Sequence, residues 1–239
     1  MPISTKKHYR MSEQAAHGWA VTFPDPQPFA PTEALQETLA RARYEQRIPD
    51  TVLFLQHQSV VTLGRRGRTQ HLLVSPDQLH KQGIDFHRAG RGGDVTYHAP
   101  GQWIVYPILR LGGLGADAHG YLHNMEEMVI RTCADFDVEA FRVPGKNGAW
   151  TEAGKIAAIG FHLKRGITLH GLSFNVDVDL AGFQLIVPCG LAGDPVCSLK
   201  QLLGDQTPSL RIVRDRLQHH FESVCGRPLI PRTPANLPV

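Results

Sequence analysis

The sequence predicts a single α/β domain built on a mixed sheet. Short β-branched and apolar runs recur between longer segments of helical periodicity. Two strand-like arms in mid-chain are separated only by a turn. No linker, repeat or change of composition divides the 239 residues.

In chain order, residues 1–30 are polar and carry Phe23-Pro24-Asp25-Pro26, which reads as a loosely ordered arm before a domain over 31–226. Pro31-Thr32 opens a helix, with Thr32 as N-cap and Leu35 and Leu39 on one face, ending near Arg47. Thr51 to Leu55 and Ser59 to Leu63 read as buried strands, Asp85 to Arg88 as a shorter one, and Gln102 to Leu109 as another. A helix over about Asp117 to Phe136 places Leu122, Met125, Met128, Val129 and Cys133 at helical spacing. Ala149-Trp150, Lys155 to His162 and Ile167 to Val176 read as strands, the last two joined by a hairpin turn at Lys164-Arg165-Gly166. A last helix from about Ser209 to Val224 carries Leu210, Val213, Leu217 and Phe221 on one stripe, and 227–239 is a Pro-rich tail.

Composition narrows the partners. A net charge of +3 does not call for a nucleic acid. No apolar run is long enough to span a bilayer. Lys6, Lys7 and Arg10 are not followed by an apolar signal core, which points to the cytoplasm. The four cysteines are then expected as thiols rather than disulfides. No CxxC occurs, Cys189 and Cys197 are not followed by paired histidines at finger spacing, and His219-His220 are adjacent on a helix, so no metal is expected.

Four segments carry more polar chemistry than strands and turns require. In Arg91-Gly92-Gly93-Asp94-Val95-Thr96-Tyr97-His98-Ala99-Pro100-Gly101-Gln102, ionisable groups interleave with glycines just before an apolar strand. Glycine lets backbone N–H groups come close to a ligand, and such a loop can wall a pocket for a slender chain. The plain alternative is a hairpin that merely turns. It is neither a P-loop nor a dinucleotide fingerprint. In Gly154-Lys155-Ile156-Ala157-Ala158-Ile159-Gly160, a lysine leads an apolar strand. An amine in apolar surroundings is desolvated toward its neutral form and can serve as a base; otherwise Lys155 snorkels to water. In Thr168-Leu169-His170-Gly171-Leu172-Ser173-Phe174-Asn175, His170 either orients another group or is a satisfied structural residue. In Pro188-Cys189-Gly190-Leu191, proline and glycine hold a thiol on a turn, whereas Cys133 and Cys225 read as core residues and Cys197 stays open. A free thiol is only a few per cent thiolate at pH 7, so a nucleophilic Cys189 needs a base or cation beside it.

These four segments, in this order, resemble the lipoyl(octanoyl) transferases. The pattern R-G-G-x-x-T-[aromatic]-H-x-x-G-Q-x-[aliphatic]-x-Y is met at every specified position from Arg91 to Tyr106. The G-K-I-A-A-I-G, T-x-H-G-x-S-x-N and P-C-G segments also match, as do an upstream Thr62-Leu63-Gly64-Arg65 and His71-Leu72-Leu73. The resemblance implies the mixed-sheet catalytic domain shared with biotin and lipoate protein ligases. It implies octanoyl transfer from octanoyl–acyl carrier protein, through a Cys189 thioester, to a lysine of lipoyl domains of 2-oxoacid dehydrogenase complexes and of glycine cleavage H protein. Lys155 would be the partner that ionises Cys189. Arg91, Gly92, Gly93, Asp94, Val95, Thr96, Tyr97 and His98 would line the acyl pocket with Ala158, Ile159, Gly160, Gly171, Leu172 and Ser173. No cofactor is implied, since the thioester already carries the activation. The competing readings are an ATP-dependent lipoate–protein ligase, which lacks the catalytic cysteine, and a cysteine hydrolase using His98 or His170 as base. Arg65, Arg66 and Arg68 form a basic cluster suited to an acidic carrier protein.

Overall fold

The computed structural model describes residues 17–113, 118–187 and 194–238. Their strands form two sheets. The larger has eight strands, and its centre is set by β2 (Thr51–Leu55), β6 (Gln102–Ile108), β10 (Ile167–Asn175) and β9 (Gly154–Lys164), neighbours in that order and all antiparallel. The smaller sheet has β3 (Val60–Leu63) between β4 (Asp85–Arg88), which is parallel to it, and β5 (Val95–His98), which is antiparallel.

The uninterrupted apolar runs of β2 and β6 arise because both faces of the large sheet are covered. Side chains alternate between faces along a strand. Leu53, Leu55, Ile104 and Ile108 pack with Leu39 and Ala42 of helix α1 (Phe29–Tyr44). Val52, Phe54, Trp103 and Val105 pack on the other face with Met125 and Val129 of α3 (Ala118–Ala134) and Val213, Leu217 and Phe221 of α5 (Leu210–Cys225). The short helices α2 (Pro76–Lys81) and α4 (Leu199–Leu203) each bury one leucine, Leu79 and Leu199.

Several expectations need correcting. Helix α1 starts three residues before Thr32, and Thr32 Oγ1 donates back to the Pro28 carbonyl at 2.7 Å rather than capping. Pro31 fits inside the first turn, where its missing N–H would have had no partner in any case. Residues 18–22 are not an arm and 229–232 are not a tail. β1 (Gly18–Thr22) pairs in parallel with β2 on one side and with β11 (Leu229–Arg232) on the other. Pro231 is tolerated because β11 is an edge strand. A pairing of four residues between the two ends of the chain leaves no local pattern to read. The hairpin turn is the pair Arg165-Gly166, both at positive φ (53° and 78°), as a two-residue turn requires. At the far side of the large sheet, β8 (Lys146–Thr151) and β7 (Phe141–Val143) complete the order.

Candidate active site

A narrow cavity of about 50 Å³ opens where the two sheets meet. Its floor is the face of β9, β10 and β6 on which small residues stand side by side: Ser173 beside Ala158 and Gly171 beside Gly160. Gly171 admits no side chain, since a Cβ there would lie 2.2 Å from the Val105 carbonyl oxygen. The roof is the loop Arg91 to Asp94. It runs so close to β9 that the Gly92 N–H donates to Phe161 O at 3.0 Å, and a Cβ on Gly160 would stand 2.9 Å from Gly92 O.

The loop is held by the upstream segment. Arg91, nearly buried, donates from Nε and Nη2 to Thr62 Oγ1 (3.1 and 2.8 Å), from Nη2 to Thr62 O (2.7 Å), and from Nη1 to Gly92 O (3.0 Å). Asp94 accepts from His71 Nδ1 (2.5 Å) and from the N–H groups of Arg68 and Val95. The N–H groups of Gly64, Arg65 and Arg66 donate to the carbonyls of Asp94, Arg91 and Gly93. Arg65, Arg66 and Arg68 are thereby strapped to the rim of the cavity by their own backbone.

Of the residues expected to line a pocket, Arg91 to Thr96 and His98 do so from above, and Ala158 to Gly160 and Gly171 to Ser173 from below. Tyr97 does not. Strand alternation turns it to the opposite side of β5, where its ring packs edge-on to Phe183 with centroids 5.5 Å apart. Two further residues line the cavity, Tyr106 and His170.

Lys155 is aimed by an irregularity in β9. The pairs Ala149↔Ala157 and Trp150↔Lys155 differ in register by one residue, so Ile156 is extra. Ile156 and Ala157 both enter the α3–α5 core. Lys155 is turned instead to the face that carries Ala158 and Gly160, the usual effect of a bulge. Only 7% of Lys155 is exposed, and its Nζ lies 4.6 Å from the centroid of the Trp150 ring. Its backbone binds the chain that follows residue 193: Lys155 N–H donates to Pro195 O (2.9 Å), and Lys155 O accepts from the Cys197 N–H (3.0 Å).

Cys189, with Pro188, Gly190 and Leu191, lies outside the described residues. Both flanks of that segment are tied to the cavity. The Val187 N–H donates to the carbonyl of His71, whose ring holds Asp94 (2.8 Å for the first bond), and Pro195 is bound to Lys155. The other three cysteines are free. Desolvation pushes the thiols of Cys197 and Cys133 up, and that of Cys225 up to about 12, so each stays protonated. Cys197, left open by the sequence, is fully buried and contacts Thr151 Oγ1 and Gly154 O at 3.3 Å.

Behind the roof runs a buried relay. His98 Nδ1 donates to Gln102 Oε1 (3.1 Å), Gln102 Nε2 to Asn175 Oδ1 (2.9 Å), and Asn175 Nδ2 to the carbonyl of Cys197 (2.9 Å). It joins the H, Q and N of two separate motifs to the stretch that pairs with Lys155. His57 was not singled out in the sequence. Its Nδ1 donates to Gln27 O (2.9 Å), which leaves Nε2 to accept from the Tyr106 hydroxyl (2.8 Å). Burial holds His57 down to about 4 and His170 to about 3, and pushes His98 far below the ordinary imidazole range, with His57 and Arg91 adding to the last shift. All three are neutral at pH 7. The only local sign of His57 was a polar Gln56-His57-Gln58 wedged between two apolar strands.

Among the described residues no group of three His, Cys, Asp or Glu side chains is arranged to hold a metal ion, and no helix is long and apolar enough to cross a membrane.

Two sheets with a narrow cavity between them, and a buried lysine on the cavity face, define an α/β domain built to hold a slender ligand between its sheets. A crystal structure of lipoate-protein ligase A bound with ATP superposes with a TM-score of 0.72 at 19% identity, covering 91% of this chain and 89% of that one. A bipartite lipoate protein ligase from Thermoplasma acidophilum gives 0.68 at 18%, covering 91% and 87%. At such identities the likeness is one of fold. The chain belongs to the lipoyl protein ligase A/B catalytic domain family, whose model matches residues 29–222. It is 44% identical to an octanoyltransferase of Syntrophotalea carbinolica over 82% of this chain and 90% of that protein. It is 48% identical to an octanoyltransferase of Acidobacterium capsulatum over 81% and 82%.

Proposed function

We propose that this protein is an octanoyltransferase of protein lipoylation. It takes an octanoyl group from octanoyl–acyl carrier protein and delivers it to a lysine of lipoyl domains, including those of 2-oxoacid dehydrogenase complexes and the glycine cleavage H protein, in the cytoplasm. The reading is carried above all by one juxtaposition: Lys155 shares a sheet face with a cavity walled by glycines, alanine and serine, narrow enough for an unbranched chain. Octanoyltransferase relatives 42–48% identical over most of the chain support the same chemistry.

In the first half-reaction, the Cys189 thiol gives its proton to Lys155 Nζ and the thiolate attacks the thioester carbonyl. The bond from that carbon to the carrier's sulfur breaks, and the leaving sulfur takes the proton. In the second, the acceptor lysine attacks the Cys189 thioester, Lys155 takes the amine's proton, and Cys189 leaves as thiolate. The flanks of the segment support this pairing: the Val187 N–H donates to the His71 carbonyl, and Pro195 O accepts from the Lys155 N–H. An octanoyl tail buried at ~0.8 kcal/mol per CH₂ gains about 5 kcal/mol, enough to hold the chain while carriers exchange. Backbone N–H groups near the Gly-rich loop suit a developing oxyanion.

The test is intact mass after mixing the protein with octanoyl–acyl carrier protein, followed by an apo lipoyl domain, with no ATP present. An octanoyl adduct absent from Cys189→Ser, then an amide on the domain, is the expected result. A requirement for ATP would make the protein a ligase, and free octanoate without amide a hydrolase. A normal adduct in Cys189→Ser would dismiss the thioester.

A further inference from the structure

The cavity ends in a wall of two residues, Tyr106 and His170, that the expected acyl-pocket lining left out. Counting along β9, Gly160 lies five residues beyond Lys155, about 15 Å of strand. Gly171 pairs with Gly160, and Tyr106, one residue past the Val105↔Leu172 pair, stands beside Gly171. The Tyr106 ring therefore crosses the floor at the end of the cavity far from Lys155. It is pinned there. Its hydroxyl donates to His57 Nε2 (2.8 Å), and His57 is pinned in turn through Nδ1 to Gln27 O, so the ring has no freedom to swing aside.

His170 completes the wall. Its φ of +58°, inside a strand, takes it out of the normal alternation. The ring stacks on Phe29 (centroids 6.5 Å, 15°) and meets Tyr106 edge-on (5.9 Å, 86°). The backbone N–H of His170 donates to Gln36 Oε1 at 2.7 Å. Its Nε2 lies 3.4 Å from Glu33, and its buried Nδ1 has no partner among the described residues. An alkyl chain that pushed between these groups would have to part the buried Tyr106–His57 hydrogen bond, which is unfavourable. Seven C–C bonds of roughly 1.5 Å in zigzag cover about 9 Å, which fits within the strand length between Lys155 and Gly160.

We infer that Tyr106 and His170, locked by His57, form a chain-length stop that sets the acyl specificity of the cavity; this rests on the octanoyltransferase reading above. The stop admits eight carbons and rejects longer unbranched acyl groups.

The experiment measures kcat/KM for acyl carrier protein loaded with octanoyl, decanoyl or dodecanoyl groups, with an apo lipoyl domain as acceptor. The native protein is compared with Tyr106→Ala and with His170→Gly, a replacement suited to the left-handed backbone; Tyr106→Leu substitutes should Tyr106→Ala not fold. The stop predicts that the decanoyl-to-octanoyl ratio rises at least tenfold in the variants, chiefly through gain on the longer donor. Variants that still transfer octanoyl groups but keep the native ratio within twofold would overturn it. Failure of the native protein to transfer any acyl group would instead strike the functional reading.

Discussion

Lys155 is only 7% exposed and stands on the sheet face that carries the cavity floor, its Nζ 4.6 Å from the centroid of the Trp150 ring. In the proposed mechanism it is the base that serves Cys189. Loss of a positioned base typically lowers a rate by 10²–10⁴, so Lys155→Ala should slow formation of the Cys189 adduct at pH 7 by about that factor. The defect should shrink as pH rises toward ~8.5, where a thiol ionises unaided. Stopped-flow release of the carrier's thiol measures both effects; an adduct rate equal to native at pH 7 would remove Lys155 from the chemistry. Tyr97 shows the converse. It lies within the same motif as Thr96 and His98, but the two-residue period of a strand sends it into the packing against Phe183.

Among the elements, the β9–β10 hairpin does most to shape the site. Its Arg165-Gly166 turn fixes the register, the register aligns Gly160 with Gly171, and the bulge at Ile156 turns Lys155 onto the cavity face. A one-residue slip would put every one of these side chains on the wrong side. Gly171→Ala tests how tightly the floor is drawn. Its Cβ would meet backbone at 2.2 Å, which β6 cannot relieve without moving. Overpacking of this kind costs about 1–3 kcal/mol, a fall in melting temperature of roughly 2–12 °C for a chain of this size. Differential scanning calorimetry reads it directly, and an unchanged melting temperature would mean that β6 gives way freely.

For the molecule as a whole, three buried neutral histidines link stability to pH. Because His57, His98 and His170 have folded values below the ordinary 6.5, the unfolded chain takes up protons first as pH falls. Stability is full above about pH 6.5 and declines below it, until the folded histidines themselves titrate near 4 and 3. At 1.36 kcal/mol per pH unit per proton, each group costs about 2 kcal/mol between pH 6.5 and 5. Urea unfolding at pH 7 and 5 should show the loss, and His57→Gln, which can still accept and donate, should flatten it by one proton's worth. A midpoint independent of pH over that range would contradict the burial of these rings.

The same scale governs docking. Arg65, Arg66 and Arg68 ride on backbone bonded to the cavity roof, so a carrier protein gripped there is presented to the opening. Arg66→Glu with Arg68→Glu should raise KM for the acyl carrier protein severalfold, leave kcat nearly unchanged, and reduce the salt dependence of kcat/KM. Equal KM in 50 and 200 mM salt for native and variant would place the docking face elsewhere.

What the sequence determined by itself is whatever depends on neighbours along the chain. The buried strands, the α3 and α5 stripes and the hairpin were legible because periodicity and turn chemistry encode them, while the expected cavity lining came from the resemblance of dense local motifs to a family. The tertiary structure alone decided what depends on residues far apart. It paired Gly18–Thr22 with Leu229–Arg232, selected Thr62 and His71 to hold Arg91 and Asp94, and brought His57 against Tyr106. Each of these joins segments far apart along the chain, and a periodicity read along it cannot register them.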